Sequence, residues 1–253
     1  MTSKELERSI NTLSKFDLIV KRFSAKAQES LQIVFDHTSY PGVEAHLFTI
    51  ADAASWHPEL TLESDVLVSG LTDSWNNFHE YLHQVMENLE QYRQGLKHGI
   101  IPTSHWVYHE FNWYRENWEG PPHEVKPAET FLHLVDESIQ PHIKALNCLG
   151  FLTTQSCSGL PKDHTDREAY QPYVMFDERI YPRSSAHLFT IADIAGWIPS
   201  YGPHRFDVEL RLNDSADAER FWDRLVSTAR AITAMLHDYR AKHGSPHSLK
   251  GAV

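Results

Sequence analysis

The eight residues AHLFTIAD occupy positions 45–52 and return unchanged at positions 186–193, which lie 141 residues further along the chain. An identity of this length is very unlikely to arise by chance, and weaker matches at the same offset flank both copies. The flanking matches pair Phe35-Asp36 with Phe176-Asp177, Tyr40-Pro41 with Tyr181-Pro182, and Trp56-x-Pro58 with Trp197-x-Pro199. The pattern indicates that two copies of one unit were fused. A functional site is therefore best sought where the copies differ.

The composition is that of a globular protein. The chain has 253 residues, of which 41% are hydrophobic, so it can bury one large core or two smaller ones without disulfides. Its two cysteines, Cys148 and Cys157, form neither a disulfide framework nor a paired-thiolate zinc pattern. The first residues are acidic where a signal peptide would be apolar, and no long apolar run follows. We expect a cytoplasmic protein with no membrane partner.

The negative charge is concentrated in the first half of the chain. The net charge is −11, yet the residues from Gln140 onward carry 13 basic and 13 acidic side chains, so the excess acid lies before that point. A negative average field disfavours nucleic acid as a partner. A small-molecule or nucleotide ligand is the more natural expectation.

Hydrophobic spacing predicts the same plan in both copies. The second copy shows a helix at 137–149, strands at 151–156, 172–176, 185–191 and 206–212, and a helix ending near residue 242. The first copy shows strands at 17–21, 31–35, 45–50 and 66–68 before a helix at 73–96. The predicted class is α+β with an internal duplication, in which two helix–four-strand–helix units pack as a pseudo-twofold pair, a pseudo-dimer within one chain.

These elements divide the chain into four segments. A first, degenerate α+β repeat covers residues 1–99, and a second repeat covers residues 136–244. Between them, residues 100–135 form a connector rich in tryptophan and tyrosine, too aromatic for a flexible linker. Residues 245–253 are expected to form a flexible tail.

The densest set of reactive side chains is the run TTQSCSGLPKDH at residues 153–164, which the first copy lacks. Cys157 lies between two hydroxyls, ahead of Gly159 and near Lys162 and His164, so its thiol could be ionised and exposed. The same loop could instead bind an anion through its backbone and hydroxyl groups. It could also be a simple turn in which Cys157 fills space.

Part of this loop resembles a known signature. Asn147, Phe151, Thr154 and the run Ser156-Cys157-Ser158-Gly159 are similar to the motif of the wybutosine-synthesising tRNA methyltransferase family of the third modification step. The similarity covers roughly residues 136–242. It departs from the family at Gln155 and Leu160, where the family has serine and arginine.

The resemblance implies an S-adenosylmethionine-dependent methyltransferase that acts on a nucleobase or small acceptor. Thr154, Ser156, Ser158 and Gly159 would hold S-adenosylmethionine. Cys157 and His164 would polarise or deprotonate the acceptor, and His187 would orient it.

A second candidate site is His79-Glu80-Tyr81-Leu82-His83, which has the form H-E-x-x-H. On a helix, His79 and His83 would share one face and bind zinc, and Glu80 would serve as the base of a hydrolase. No downstream histidine or glutamate stands in a recognised third-ligand pattern, and His105, His109 or Glu110 could serve only if the connector folds back. The simpler alternative is that these are solvent-side polar residues beside an apolar stripe.

The repeated histidines offer a third candidate. Each copy carries a histidine and an aspartate six residues apart, the pairs being His46 with Asp52 and His187 with Asp193. On a strand, each histidine would share a face with large apolar groups. Retention in both copies favours a buried structural histidine over a ligand-binding one. A non-catalytic binding or assembly protein, which would use the acidic first copy and the connector, remains a further alternative.

Overall fold

A computed structural model describes residues 3–26, 30–99, 126, 128–164, 171–201, 206–213 and 217–243. The chain divides into two compact units, residues 1–111 and 112–253. Residues 100–125, which make up most of the predicted connector, lie outside the described residues. The predicted tail at 245–253 also lies outside them.

The first unit begins with a helix and a short 3-10 turn at Thr12–Phe16. The remaining elements are two pairs of strands, each pair followed by a helix. In chain order the elements are α1 (Ser3–Asn11), β1 (Val20–Lys26), β2 (Ser30–Phe35), α2 (Val43–Ala53), β3 (His57–Leu60), β4 (Val66–Leu71) and α3 (Trp75–Lys97).

The second unit repeats this order of elements and adds two short helices, one before it and one after it. Its elements are α4 (Ala128–Phe131), α5 (Gln140–Cys148), β5 (Thr153–Cys157), β6 (Tyr173–Asp177), α6 (Ser184–Ala195), β7 (Ile198–Tyr201), β8 (Asp207–Arg211), α7 (Ala218–Met235) and α8 (His237–His243).

Each unit contains one four-stranded antiparallel sheet, and the two sheets share one topology. The strand orders are β1-β2-β4-β3 and β5-β6-β8-β7. Both sheets carry a register irregularity at the same place in the opening strand, between Val20 and Arg22 and between Thr153 and Gln155. The predicted mixed α+β class is therefore confirmed.

The repeated run AHLFTIAD is helical, and the prediction of a strand at 45–50 and at 185–191 is wrong. The run lies inside α2 in the first unit and inside α6 in the second, and every residue of both helices is buried. A helix that is apolar on all sides has no 3.6-residue period, because it lacks the polar face that creates one. Because this helix is buried on every side, its sequence has no periodic polar face, and its pattern did not identify it as a helix.

Two strands, β3 and β7, were not predicted from the sequence. They take the place of the two wrongly predicted strands, so each sheet still has four strands. Both are edge strands, and each contains the proline of the Trp-x-Pro pair, Pro58 and Pro199. Proline cannot donate a hydrogen bond to a sheet, so within strands it is confined to edges, and it weakens a strand prediction from sequence.

The closing helices confirm the predicted amphipathic stripes. In α3, the side chains of Phe78, Leu82, Val85 and Leu89 are buried, and in α7 those of Leu225, Ala229 and Ile232 are buried. Among the described residues, no helix combines the length and the apolar character that crossing a membrane requires.

Gly70 in β4 tests how tightly the first unit is packed. A Cβ atom at this position would lie 2.3 Å from the indole ring of Trp56. That ring is fixed, because its Nε1 donates a hydrogen bond to the Ser74 hydroxyl at 2.7 Å. We expect Gly70→Ala to lower the free energy of unfolding by about 1–3 kcal/mol, the usual cost of overpacking. Urea denaturation measures the change.

The neighbouring substitution Ser69→Ala is the control, because the Ser69 hydroxyl is exposed and makes only a 3.3 Å bond to the His57 carbonyl. We expect Ser69→Ala to change the free energy of unfolding by about 0.5 kcal/mol or less. Equal free energies for the two variants would contradict the packing account.

Candidate functional site

The Ser-Cys-Ser-Gly loop begins at the end of the edge strand β5 of the second unit and continues beyond it. The strand ends at Cys157, and a 3-10 turn at Pro161–Asp163 then leads to His164. Gly159 makes the reversal possible, because its φ is +67° and a Cβ atom there would lie 2.5 Å from Cγ of Pro172. The loop therefore turns back on itself and returns His164 to the end of β5.

Three side chains with metal-ligating atoms converge at this turn. Sγ of Cys157 lies 3.4 Å from Nε2 of His164, and the same nitrogen lies 3.6 Å from Oδ2 of Asp136. The ligand atoms of the three residues all lie within 4.8 Å of one another. Asp136 is the residue just before the 3-10 turn at Glu137–Ile139, which leads into α5. We call Asp136, Cys157 and His164 the Cys157 cluster.

The cluster is partly open to solvent. Cys157 is 8% exposed, whereas the side chains of His164 and Asp136 are 19% and 22% exposed. Water can thus reach one side of the cluster while the sulfur remains buried.

The Cys157 thiol is held in its neutral form. Burial raises its pKa above the ordinary value, a hydrogen bond from the Gly159 N–H opposes the rise, and the carboxylates of Asp136 and Asp163 add to it. The expectation of an exposed, ionised thiol is therefore not met in the metal-free protein.

The polar groups of the loop largely bind one another. The Ser158 N–H donates to Oδ2 of Asp136 at 2.7 Å, and the Leu160 N–H donates to the Ser158 hydroxyl at 3.1 Å. Asp163 accepts hydrogen bonds from Ser138, whose hydroxyl and N–H both point at its carboxylate. This network fixes Asp136 and positions the loop.

The four predicted cofactor-binding residues differ in what they offer. Ser158 and Gly159 are buried, whereas Thr154 and Ser156 are half-buried on β5. Oγ1 of Thr154 is buried and has no hydrogen-bond partner among the described residues.

His187, the third predicted catalytic residue, lies within α6 and is fully buried. Its Nδ1 lies 3.3 Å from the Tyr181 hydroxyl, and its ring meets that of Tyr239 edge-on at 5.5 Å. It is not part of the Cys157 cluster. The predicted burial of the repeated histidine is confirmed, but its position on a strand is wrong.

The first unit repeats this arrangement around His46. Nδ1 of His46 lies 3.1 Å from the Tyr40 hydroxyl, and its ring meets that of Tyr92 at 6.3 Å. The tyrosine partner was not foreseen, although Tyr40-Pro41 and Tyr181-Pro182 were visible as matched residues in the sequence.

The H-E-x-x-H residues lie on α3, as predicted. The rings of His79 and His83 are 4.5 Å apart, and their Nε2 atoms are buried without a hydrogen-bond partner among the described residues. Burial, with smaller effects of His83 and Lys15, lowers the pKa of His79. Glu80 is exposed and accepts a hydrogen bond from Gln84 at 3.2 Å.

No third ligand joins this histidine pair within the described part of the chain. The residues considered for that role, His105, His109 and Glu110, lie outside the described residues. The pair therefore forms a less complete ligand set than the Cys157 cluster.

Another acidic group, formed by Asp36, His37 and Asp65, is closed by a lysine. Nζ of Lys21 lies 2.8 Å from both carboxylate oxygens of Asp65. Burial would raise the pKa of Asp65, but hydrogen bonds from Lys21 and His37 hold it below its ordinary value. In the second unit, Arg179 pairs with Asp177 in a similar way. This group is an ion-pair network because Lys21 already pairs with both carboxylates.

Asp136 is the site residue that the sequence analysis missed as a functional group. It lies 21 residues before Cys157 and immediately precedes a helical turn, where an aspartate is usually a helix cap. Only the folded loop brings it to the thiol.

The two cysteines provide an internal test of the Cys157 environment. Cys148 is exposed, whereas Cys157 is buried. Because the thiolate is the reactive species, we expect iodoacetamide at pH 7 to modify Cys157 at least about tenfold more slowly than Cys148 in the metal-free protein. Peptide mapping by mass spectrometry gives both rates, and unfolding in urea is expected to make them similar. Equal rates in the folded protein would contradict the buried, neutral thiol.

Comparison of the chain with protein-family models, with curated proteins and with solved structures found no match.

Proposed function

We propose that the second unit is a zinc-dependent hydrolytic unit, and that Asp136, Cys157 and His164 bind the zinc ion. One observation carries the proposal. A sulfur, an imidazole nitrogen and a carboxylate oxygen lie within 4.8 Å of one another, and the loop hydrogen bonds hold Asp136 in place. All three are ligand types that zinc accepts in proteins.

The distances support tetrahedral coordination. Zinc bonds to sulfur, nitrogen and oxygen of about 2.0–2.3 Å at tetrahedral angles separate neighbouring ligand atoms by about 3.3–3.6 Å. The separations of His164 Nε2 from Cys157 Sγ and from Asp136 Oδ2 are 3.4 and 3.6 Å. Two of the three ligand separations thus match a tetrahedral site, and the third, between Cys157 and Asp136, is within 4.8 Å.

A cysteine–histidine–aspartate triad is the main chemical alternative for the same three residues. In such a triad, the histidine uses one ring nitrogen for the nucleophile and the other for the carboxylate. Here Cys157 and Asp136 both approach Nε2 of His164. The raised pKa of Cys157 also disfavours a nucleophilic role. The geometry supports metal binding better.

Within the part of the chain that the structure describes, the cluster supplies three protein ligands with partial exposure, a set that suits a catalytic zinc ion. Structural zinc sites use four protein ligands, whereas catalytic sites use three and leave one position to water. When bound, zinc lowers the pKa of that water to about 7 and so supplies a hydroxide for hydrolysis. The partly exposed side chains of Asp136 and His164 mark the side from which water and substrate would arrive.

The methyltransferase hypothesis stays a prediction from the loop sequence. It requires Ser156, Ser158 and Gly159 to hold S-adenosylmethionine, but the N–H groups of Ser158 and Leu160 already bind acceptors within the protein. The loop thus has fewer donors to offer than the sequence suggested. Calorimetric titration with S-adenosylmethionine tests this hypothesis independently of zinc.

Zinc binding by single variants distinguishes the two candidate metal sites. We expect the metal-free protein to bind one zinc ion, and Cys157→Ser or His164→Ala to weaken binding at least about 100-fold because each removes a ligand. The matched controls His79→Ala and His83→Ala are expected to bind zinc as the wild type does. Competition with a chromogenic chelator measures each affinity.

The reverse outcome, with zinc lost in His83→Ala and kept in His164→Ala, would move the metal site to α3 and contradict the proposal.

Hydrolysis is then assayed on a panel of activated esters, phosphate esters and amides. Zinc is expected to restore hydrolysis in His83→Ala but not in His164→Ala. No zinc-dependent hydrolysis across the panel would contradict the catalytic role while leaving the metal site intact.

Zinc affinity is expected to depend on pH through the Cys157 thiol. The pKa of this thiol is raised, so the metal-free protein is protonated there at neutral pH, and zinc must displace the proton. Affinity should therefore rise about tenfold per pH unit between about pH 7 and pH 8.5. Asp136→Asn keeps the thiol and should keep this slope at lower affinity. A pH-independent affinity would contradict the thiolate ligand.

We infer that the two units arose by internal duplication. The eight-residue identity supports this, together with the shared strand order and the irregularity at the same place in β1 and β5. By register from that irregularity, Ser24 of β1 corresponds to Cys157 of β5. The first unit therefore lacks the sulfur ligand, and the zinc proposal concerns the second unit alone.

A further inference from the structure

The first unit contains a cavity of about 550 Å³ that the zinc proposal does not use. It lies among the turn that follows α1, the segment between β2 and α2, and the last turns of α3. This volume lies within the range of about 300–1,000 Å³ that is usual for small-molecule sites. Its polar lining includes Asp17, Arg93 and Lys97, and we call it the Arg93 pocket.

A nearly buried arginine is the main polar feature of the pocket. Arg93 is 2% exposed, and its guanidinium lies 5.1 Å from the centre of the Tyr40 ring. It donates one hydrogen bond to Glu90 at 3.3 Å and one to Asp17. Its Nε atom is buried and has no partner among the described residues. Arg93 thus retains donor capacity in a place from which water is largely excluded.

Two cations converge on one carboxylate oxygen at the rim of the pocket. Arg93 and Lys97 both bind Oδ2 of Asp17. The hydrogen bond from Lys97 is the largest influence on the pKa of Asp17, which lies below its ordinary value. The pair of cations is therefore arranged to receive a carboxylate, and Asp17 occupies that position.

Asp17 binds both cations, yet its side chain lies at the surface. The side chain is 40% exposed, so rotation about its bonds can move the carboxylate into solvent. Its backbone has a left-handed φ of +59°, a conformation that aspartate adopts more often than most residues with a side chain. The corresponding residue in the second unit is Gly150, which also follows the opening helix and has a φ of +79°. An aspartate with a surface side chain can leave the cations without disturbing the core.

The rest of the lining is mostly apolar. Leu18, Ile19, Pro41 and Leu96 contribute hydrocarbon surface beside the Tyr40 ring. Ile19 is 50% exposed, so part of its hydrocarbon surface is accessible to a ligand. A ligand that satisfies both parts of the lining has an apolar body and one anionic end.

We propose that the Arg93 pocket binds a small organic carboxylate with an apolar body, whose carboxylate replaces that of Asp17 between Arg93 and Lys97. The equivalent arginine of the second unit lies in a different setting. Arg240 donates to the Leu149 carbonyl at 2.6 Å and to the Thr233 hydroxyl at 3.1 Å, and its Nε atom, like that of Arg93, has no partner among the described residues. The residue that corresponds to Asp17 is Gly150, so the second unit has no carboxylate at that position. We therefore place the binding site in the first unit.

Calorimetric titration with benzoate and octanoate, each beside its neutral amide, tests the proposal on the full chain. We expect at least one carboxylate to bind with a stoichiometry of one, and its amide to bind at least tenfold more weakly. Lys97→Met should weaken carboxylate binding about tenfold because it removes one cation. Asp17→Gly should tighten binding severalfold because it removes the competing carboxylate and leaves a residue suited to the backbone.

Lys144→Met, which removes an exposed lysine from the second unit, is the matched control and should bind as the wild type does. Three results would each overturn the proposal: no binding of either carboxylate by Asp17→Gly, equal binding of carboxylate and amide, or an unchanged affinity in Lys97→Met. Thermal unfolding of each variant verifies that it is folded.

Discussion

Burial of one helix on every side is the constraint on which each unit depends. All residues of α2 and of α6 are buried, and each helix packs against elements of its own unit: α2 contacts α3, β3 and β4, and α6 contacts α7, β7 and β8. The end of each helix then sets the path of the chain. The N–H of Trp56 bonds to the Ala51 carbonyl at 2.7 Å, and that of Trp197 to the Ala192 carbonyl at 2.8 Å. These bonds turn the chain from helix into edge strand in both units.

The same burial determines the role of the repeated histidine. An imidazole in a fully buried helix requires a hydrogen-bond partner, and a tyrosine hydroxyl lies beside each one, that of Tyr40 beside His46 and that of Tyr181 beside His187. The tyrosines in turn lie beneath buried arginines, Arg93 in the first unit and Arg240 in the second. The units then diverge in what the arginine binds. Arg93 faces a cavity and an exposed aspartate, whereas Arg240 is tied to backbone and threonine.

Part of this fold could be predicted from the sequence. The amphipathic helices α3 and α7 and the strands β2 and β6 carried clear patterns, so their positions were confirmed. The run AHLFTIAD could not be assigned correctly, because periodicity identifies a helix only when one face is polar. The edge strands β3 and β7 were hidden by their prolines. In both cases the deciding factor was tertiary environment, which a local pattern does not contain.

The site was predicted less completely than the fold. The loop at 153–164 stood out because the first copy lacks it, and the structure places Cys157 and His164 together there. Asp136 was not found, because its proximity arises from the loop reversal at Gly159 and from the turn that opens α5. Zinc ligation by sulfur is the central claim. The X-ray absorption spectrum of the protein loaded with one equivalent of zinc tests it most directly. The account predicts one sulfur neighbour at about 2.3 Å together with nitrogen and oxygen neighbours at about 2.0–2.2 Å. A first shell of nitrogen and oxygen alone would contradict it.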